Sequence, residues 1–321
     1  MFDVVVVGAG VVGLTCAVRL LEGGARVAVL TADALSRTVS WVAAAVWYPT
    51  HTEGDSRVLA WARRTYEELA HQAARGVPGI VMRPTRMLLR GPSRQAPWWA
   101  EAVRDFRSVN PADVPEGITG EWRFTVPTVE MDPYLHWLHQ RVEDAGGVVL
   151  HRRLHRLADV VGVAPVAVNA TGLAARGLVS DADVYPARGQ LVLVSNPGLF
   201  TSVRDEENPG GLTYVHPRSR DVVLGGTFEP GESGTRSEAR TGQAILERCR
   251  ALVPRLKEAR VITELVGLRP SRRGGARVEV DPARLPGGAL LIHNYGHGGA
   301  GVTLSWGCAD EVAALLRPCS Y

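Results

Sequence analysis

Cysteine is scarce: four in 321 residues, Cys16, Cys249, Cys308 and Cys319, with no CxxC pair among them. That spacing excludes a disulfide framework and a cysteine zinc site, and leaves reduced, mostly buried thiols. No apolar run reaches the roughly 20 residues of a membrane-crossing helix, because Arg19 and Glu22 close the apolar N-terminal stretch. A secretory signal would open on basic residues, and Asp3 stands there instead. The chain ends Cys319-Ser320-Tyr321 rather than in a Ser-Lys-Leu peroxisomal signal, so a cytoplasmic protein is expected. Charge of one sign is also lacking. Against 33 acidic residues stand 36 Lys and Arg, net +3, and the arginines are spread rather than striped, which gives nucleic-acid binding no footprint. The pairs His136/His139 and His151/His155 have helical spacing but no third ligand nearby, so no metal is expected. No internal repeat or low-complexity linker is evident.

What is present begins at the N-terminus. The β-branched run from Val4 to Val7 leads into Gly8-Ala9-Gly10-Val11-Val12-Gly13, then a helical pattern over residues 15–21 that stops at Gly23-Gly24, then a second strand over 26–30. A strand, a glycine turn and a helix in this order cradle a dinucleotide pyrophosphate. Gly8 permits the turn, Gly10 the close approach of backbone to phosphate, and Gly13 the packing of helix on strand, while the helix N-terminus offers N–H groups to the anion. The second strand ends at Leu30-Thr31-Ala32, where a carboxylate is the usual ribose partner. Either Asp33 reaches the ribose from a longer turn or backbone groups do so.

Further along, Asp55 or Ser56 caps an amphipathic helix to about residue 74, whose inner face carries Val58, Ala62, Tyr66, Leu69 and Ala73. Residues 76–131 read as inserted sheet, with one helical period over 98–106. Asp132 caps a helix with Pro133 at its first position, ending at Gly146-Gly147. Strands follow over 148–150, 166–172 (this one ending in a small-residue turn), 190–194, 212–215 and 222–224, then a helix over 241–252. A last strand over 289–293 precedes a second glycine turn, Gly296-His297-Gly298-Gly299-Ala300-Gly301, and a final helix with Leu304, Cys308, Val312 and Leu315 at core spacing. The expected fold is α/β. A Rossmann-like domain (1–75, 132–187, 264–318) is interleaved with a mixed-sheet α+β substrate domain (76–131, 188–263). The eight tryptophans read as core and domain-interface residues.

Seven segments in order carry a family resemblance: the first glycine turn, Ala43-Ala44-Ala45-Val46-Trp47-Tyr48-Pro49, Asn169-Ala170-Thr171-Gly172, Arg188-Gly189-Gln190, Tyr214-Val215-His216-Pro217, Gly267-Leu268-Arg269-Pro270-Ser271-Arg272, and His293-Asn294-Tyr295-Gly296-His297-Gly298-Gly299. The chain resembles the D-amino-acid oxidases from residue 4 to about residue 316. The resemblance implies FAD-dependent oxidative deamination of D-amino acids by hydride transfer from Cα to flavin N5, with O2 as acceptor, giving a 2-oxo acid, ammonia and hydrogen peroxide. It assigns the substrate carboxylate to Arg272 and Tyr214, and the substrate amine to the carbonyl of Gly299. For FAD it implies Gly8, Gly10, Val11, Val12 and Gly13 at the pyrophosphate, Thr38 and Ser40 at the phosphates, and Ala44, Ala45 and Val46 beside the ring. Thr171 falls near the adenosine, and Gly298, Gly299, Ala300, Gly301, Val302 and Thr303 fall at the ring's pyrimidine edge. No role follows for His216 or His297.

The segment 204–211 is short and lacks the second active-site tyrosine of eukaryotic members, which implies a smaller or more open entrance suited to broad acceptance of neutral D-amino acids, bulky ones included. Four rivals stand beside this reading. A glycine or sarcosine oxidase shares the nucleotide turns but does not need Tyr214 and Arg272 together. A D-aspartate oxidase needs a further cation, for which Arg204, Arg218 and His216 are candidates. A non-catalytic FAD-binding module and a dehydrogenase that spares O2 complete the set. No nucleic-acid or membrane partner is expected, and a homodimer is left open.

Overall fold

The computed structural model describes residues 1–49, 56–92, 95–109 and 117–316. The chain opens with β1 (Val4–Val7), α1 (Val11–Glu22), β2 (Val27–Thr31), α2 (Val39–Val42) and α3 (Ser56–Ala74). Next come β3 (Ile80–Leu89), β4 (Arg104–Val109), β5 (Gly120–Val129), α4 (Met131–Asp144), β6 (Val148–His151), β7 (Val166–Asn169) and α5 (Ala175–Leu178). The remainder is β8 (Val184–Ser195), β9 (Ser202–Asp205), β10 (Thr213–Pro217), β11 (Asp221–Gly225), β12 (Glu229–Pro230), α6 (Ala239–Leu252), β13 (Val261–Arg272), β14 (Arg277–Val280), β15 (Leu290–Tyr295) and α7 (Gly301–Leu316).

Among the described residues these strands form two sheets. The first has the order β14-β15-β7-β1-β2-β6, parallel throughout except for β14 at its edge. The all-valine β1 is buried on both faces, as a central parallel strand covered by helices requires. α1 packs against α7 and α4. The second sheet runs β12-β8-β11-β10-β9-β3-β5-β4, with β13 pairing the other edge of β8. Against β4 and β5 of the second sheet lies an aromatic cluster in which Trp99 makes edge contacts at 5.0–6.4 Å with Trp47, Tyr48, Phe106, Trp122 and Phe124. Trp47, Trp61, Trp99, Trp122 and Trp306 are all buried.

Several elements depart from the sequence expectation. α1 starts at Val11, four residues early, because the glycine turn feeds the chain straight into the helix. The helical period over 98–106 is a single turn at Ala100–Ala102 followed by β4. Pairing with β5 and burial of the Trp99 ring in the aromatic cluster override the local pattern there. The N-cap of α4 is Glu130, not Asp132, which sits inside the first turn. Ser56 is the first helical residue of α3, and Asp55 lies outside the described residues. The boundary expected at 264 falls inside β13, which pairs with β8 in the second sheet all the way to Arg272.

Candidate active site and cofactor cleft

One cavity of about 460 Å³ runs from the first glycine turn to the face of the second sheet. Its nucleotide end lies at the carboxyl ends of β1, β2 and β7, where open parallel sheets bind ligands. A side chain at Gly8 would run into the carbonyl of Ala170, and the residue adopts φ +116°; only glycine meets both demands. A Cβ at Gly13 would run into the carbonyl of Gly8, so this residue sets the approach of α1 to the turn. Gly13 does not itself line the cavity, whereas Gly8, Gly10, Val11 and Val12 do.

Ser40 and Thr38 also line the cavity, but their hydroxyls differ in use. Ser40 Oγ accepts from the Val11 N–H at 3.0 Å, beside the N-terminus of α1. Thr38 Oγ1 donates back to the Leu35 carbonyl. Thr171 lines the cavity and is held by Asn169 Oδ1 at 2.7 Å. Asp33 reaches the wall, yet Arg153 already donates to its carboxylate at 3.0 Å.

The segment around Ala44, Ala45 and Val46 forms another wall. It is clamped on one side by β5, through Trp47 N–H to Pro127 O and Val129 N–H to Ala45 O. On the other side Thr303 Oγ1 both accepts from Tyr48 N–H and donates to Tyr48 O. The turn Gly298–Ala300 feeds α7, so Gly298, Gly299, Gly301, Val302 and Thr303 line the cavity at a helix N-terminus. Ala300 is fully buried behind them and does not reach the cavity. A cleft with backbone approach at one end and a second helix N-terminus at the other fits a flavin dinucleotide, because both ends offer N–H groups where negative charge must rest.

The far end is built by strand register. Arg204 on β9 is opposite Tyr214 on β10, Tyr214 is opposite Gly225 on β11, and Gly225 is opposite Leu191 on β8. Leu191 in turn faces Leu265 on β13, and two and four residues on, Gly189 faces Gly267 and Ala187 faces Arg269. Side chains two apart share a face, so one face of the sheet presents Arg204, Tyr214, His216, Leu191 and Arg269 to the cavity. Two glycines make the room. A Cβ at Gly225 would run into the Tyr214 ring, and one at Gly189 into the Arg269 guanidinium.

Arg272 is not part of this wall. β13 and β8 pair without a register shift from Thr263 to Arg272, and residues three apart on such a strand point to opposite faces. Its guanidinium donates to Asp181 at 2.8 Å and to the carbonyls of Arg273 and Gly275. Burial alone would raise the Asp181 carboxyl; the bonds from Arg272 and Tyr295 outweigh it and hold the group down at about 2. Of the two arginines of this motif, the cavity is lined by Arg269 and not by Arg272, the one expected there from the sequence. Arg269 has the Thr227 carbonyl as a hydrogen-bond partner and stands over the Phe228 ring. Among the described residues no carboxylate pairs with it. Counting strand parity from Gly267 would have found it. Tyr48, Gly189 and Gly225 were likewise not assigned roles, since a close approach between strands leaves no local signature.

His297 lines the cavity and is 5% exposed, with no partner for Nε2 among the described residues. Burial lowers its imidazole from 6.5 to about 4. The fold holds the neutral ring, so this group's contribution to stability is complete above about pH 6.5 and is lost as pH falls through about 4. Thermal scans from pH 7 to 4 should show Tm falling less steeply in His297→Asn than in the native chain. Parallel curves would contradict the assignment.

Among the described residues no group of His, Cys, Asp or Glu could hold a metal ion, and no helix is long and apolar enough to cross a membrane. Cys16, Cys249 and Cys308 are free and buried; Cys319 lies outside the described residues.

The two-sheet fold and the cleft define a flavin-dependent oxidoreductase. The sequence matches the FAD dependent oxidoreductase family over residues 3–315, and the chain belongs to that family. It is 48% identical over 311 residues to the D-amino-acid oxidase of Rubrobacter xylanophilus, spanning 97% of this chain and 94% of that protein. It is 35% identical over 335 residues to the D-aspartate oxidase of Homo sapiens, spanning 99% and 95%. The crystal structure of glycine oxidase from Geobacillus kaustophilus superposes with a TM-score of 0.81 at 23% identity, over 100% of this chain and 96% of that one, a likeness of fold.

Proposed function

We propose that the protein is a D-amino-acid oxidase, converting a D-amino acid and O2 to a 2-oxo acid, ammonia and hydrogen peroxide. The observation that carries this reading is the pairing of Arg269 and Tyr214 on one sheet face, at the opposite end of the cavity from the glycine turn. FAD, when held in this cleft, would supply the two-electron acceptor for the hydride of substrate Cα, with O2 as the final oxidant.

Arg269 holds the substrate carboxylate in place of Arg272. A guanidinium fork grips a carboxylate bidentately, and no carboxylate of the described protein competes for it. Tyr214 adds a hydroxyl; burial keeps its phenol protonated and able to donate. The Gly299 carbonyl accepts from the amine. Three fixed contacts orient Cα–H, and orientation is what hydride transfer chiefly requires of the protein. At the cofactor, the turn from Gly8 to Gly13 and Ser40 serve the phosphates. Asp33 or nearby backbone groups serve the ribose. The N-terminus of α7 would offer its N–H groups to negative charge on the ring.

A panel of D- and L-amino acids with peroxide detection tests the reading. Peroxide from D-methionine and D-alanine, with none from L-methionine, is expected; equal rates for both enantiomers, or none, would overturn it. Tyr214→Phe should cost about 1–2 kcal/mol in kcat/KM, one hydroxyl contact, with flavin content unchanged. A variant as active as the native chain would remove Tyr214 from the substrate. The D-aspartate oxidase reading has one observation in its favour, the presence of Arg204 in the cavity wall.

A further inference from the structure

Arg204 is 6% exposed and stands directly across the β9–β10 pair from Tyr214. Tyr214 thus lies between two cations, and both Arg204 and Arg269 act on its phenol. A substrate whose carboxylate rests on Arg269 and Tyr214 has Arg204 on the far side of the same ring, where its side chain can reach. The two arginines differ in one respect. No carboxylate of the described residues pairs with Arg269, whereas Glu206 pairs with Arg204 at 2.6 Å.

Glu206 is itself fixed. Its second oxygen accepts from the Tyr48 hydroxyl at 3.2 Å, and the Tyr48 ring lies under the Arg204 guanidinium, 4.0 Å from Cζ. Glu206 does not line the cavity; Arg204, Tyr48 and His216 do. The surroundings are balanced too. The neighbouring Asp205 is buried and carries its own partner, Arg90, and His216, stacked on Tyr214 at 4.7 Å, is kept neutral by burial and by Arg204. The wall facing the substrate side chain therefore presents N–H groups with no net charge. Arg204 Nε and His216 Nδ1 have no partner among the described residues.

We propose that Glu206 is the positioning residue for side-chain charge: by holding Arg204 in an ion pair it makes the site take D-amino acids with uncharged side chains and refuse acidic ones. The inference rests on the D-amino-acid oxidase reading and gives its selectivity a cause. An acidic side chain entering this wall would have to share Arg204 with Glu206 in a desolvated space, where two carboxylates repel.

Glu206→Gln keeps the shape and, through its Oε1, the bond from Arg204, with its amide N–H donating to the Tyr48 oxygen, while removing the charge. Its kcat/KM for D-aspartate relative to D-alanine should rise about tenfold or more, the scale of one charge-assisted hydrogen bond, with the gain in KM and D-alanine turnover kept within about twofold. Adding Arg204→Met should abolish the gain. An unchanged ratio in a flavin-loaded Glu206→Gln protein that still oxidises D-alanine would overturn the proposal. The native chain provides a second measurement independent of that variant's folding. Titrated through its visible flavin spectrum, it should bind succinate about tenfold more weakly than butanoate; equal or tighter binding of succinate would overturn the proposal as well. A native, yellow protein that yields no peroxide from D-alanine would instead sink the parent reading.

Discussion

Arg269→Ala should lower kcat/KM for a good D-amino acid by more than about 3 kcal/mol, over a hundredfold, while Arg272→Ala leaves kcat/KM within a few-fold. Both arginines belong to one short motif, and the contrast between them tests the reading of β13 directly. Arg269 faces the cavity from a site where a Cβ at Gly189 would displace its guanidinium. Removing it leaves the substrate carboxylate desolvated without its charge partner. Arg272 is engaged by Asp181 on the other face. Its loss should appear as lower stability, about 1–3 kcal/mol, because it leaves the buried Asp181 without its cation. Steady-state kinetics beside thermal melts separate the two effects. The reverse outcome, activity lost with Arg272 and kept without Arg269, would restore the first assignment.

Gly13→Ala should produce protein that retains no flavin. The added methyl would collide with the Gly8 carbonyl, and Gly8 cannot retreat, being packed against Ala170 in a conformation that only glycine adopts readily. The collision moves either α1 or the turn, and both line the nucleotide end of the cavity. The check is the visible flavin band of purified protein per chain. Gly177→Ala, in α5 with no heavy atom near its would-be Cβ, is the matched control and should stay yellow. A Gly13→Ala protein with the native flavin content would show that the turn tolerates a side chain.

How far the sequence carried the reading differs from element to element. β1, its turn and α1 were legible because every requirement there is met within a dozen consecutive residues: β-branched strand, spaced glycines, apolar helix. α4 and α6 were legible by period and punctuation, to within about two residues at their starts. The segment around Trp99 was not, since its periodic apolar residues serve an aromatic cluster assembled from β4, β5 and residues 47–48. Nor was the place of β13. Its 12 residues belong to the second sheet by hydrogen bonds to β8, some 80 residues earlier in the chain.

The site shows the same division. Taken alone, the chain determined that a dinucleotide site would lie across a glycine turn and a helix start, and that the 214–217 and 267–272 segments would belong to one motif set. These follow from local spacing and from a motif set found in order. Which arginine turns inward, which acid neutralises Arg204, and that Asp33 is already engaged by Arg153 were decided only when strands from distant parts of the chain came into register. A strand's sequence marks two alternating faces; only the partner strand and the layer packed on it settle which face looks into the cavity.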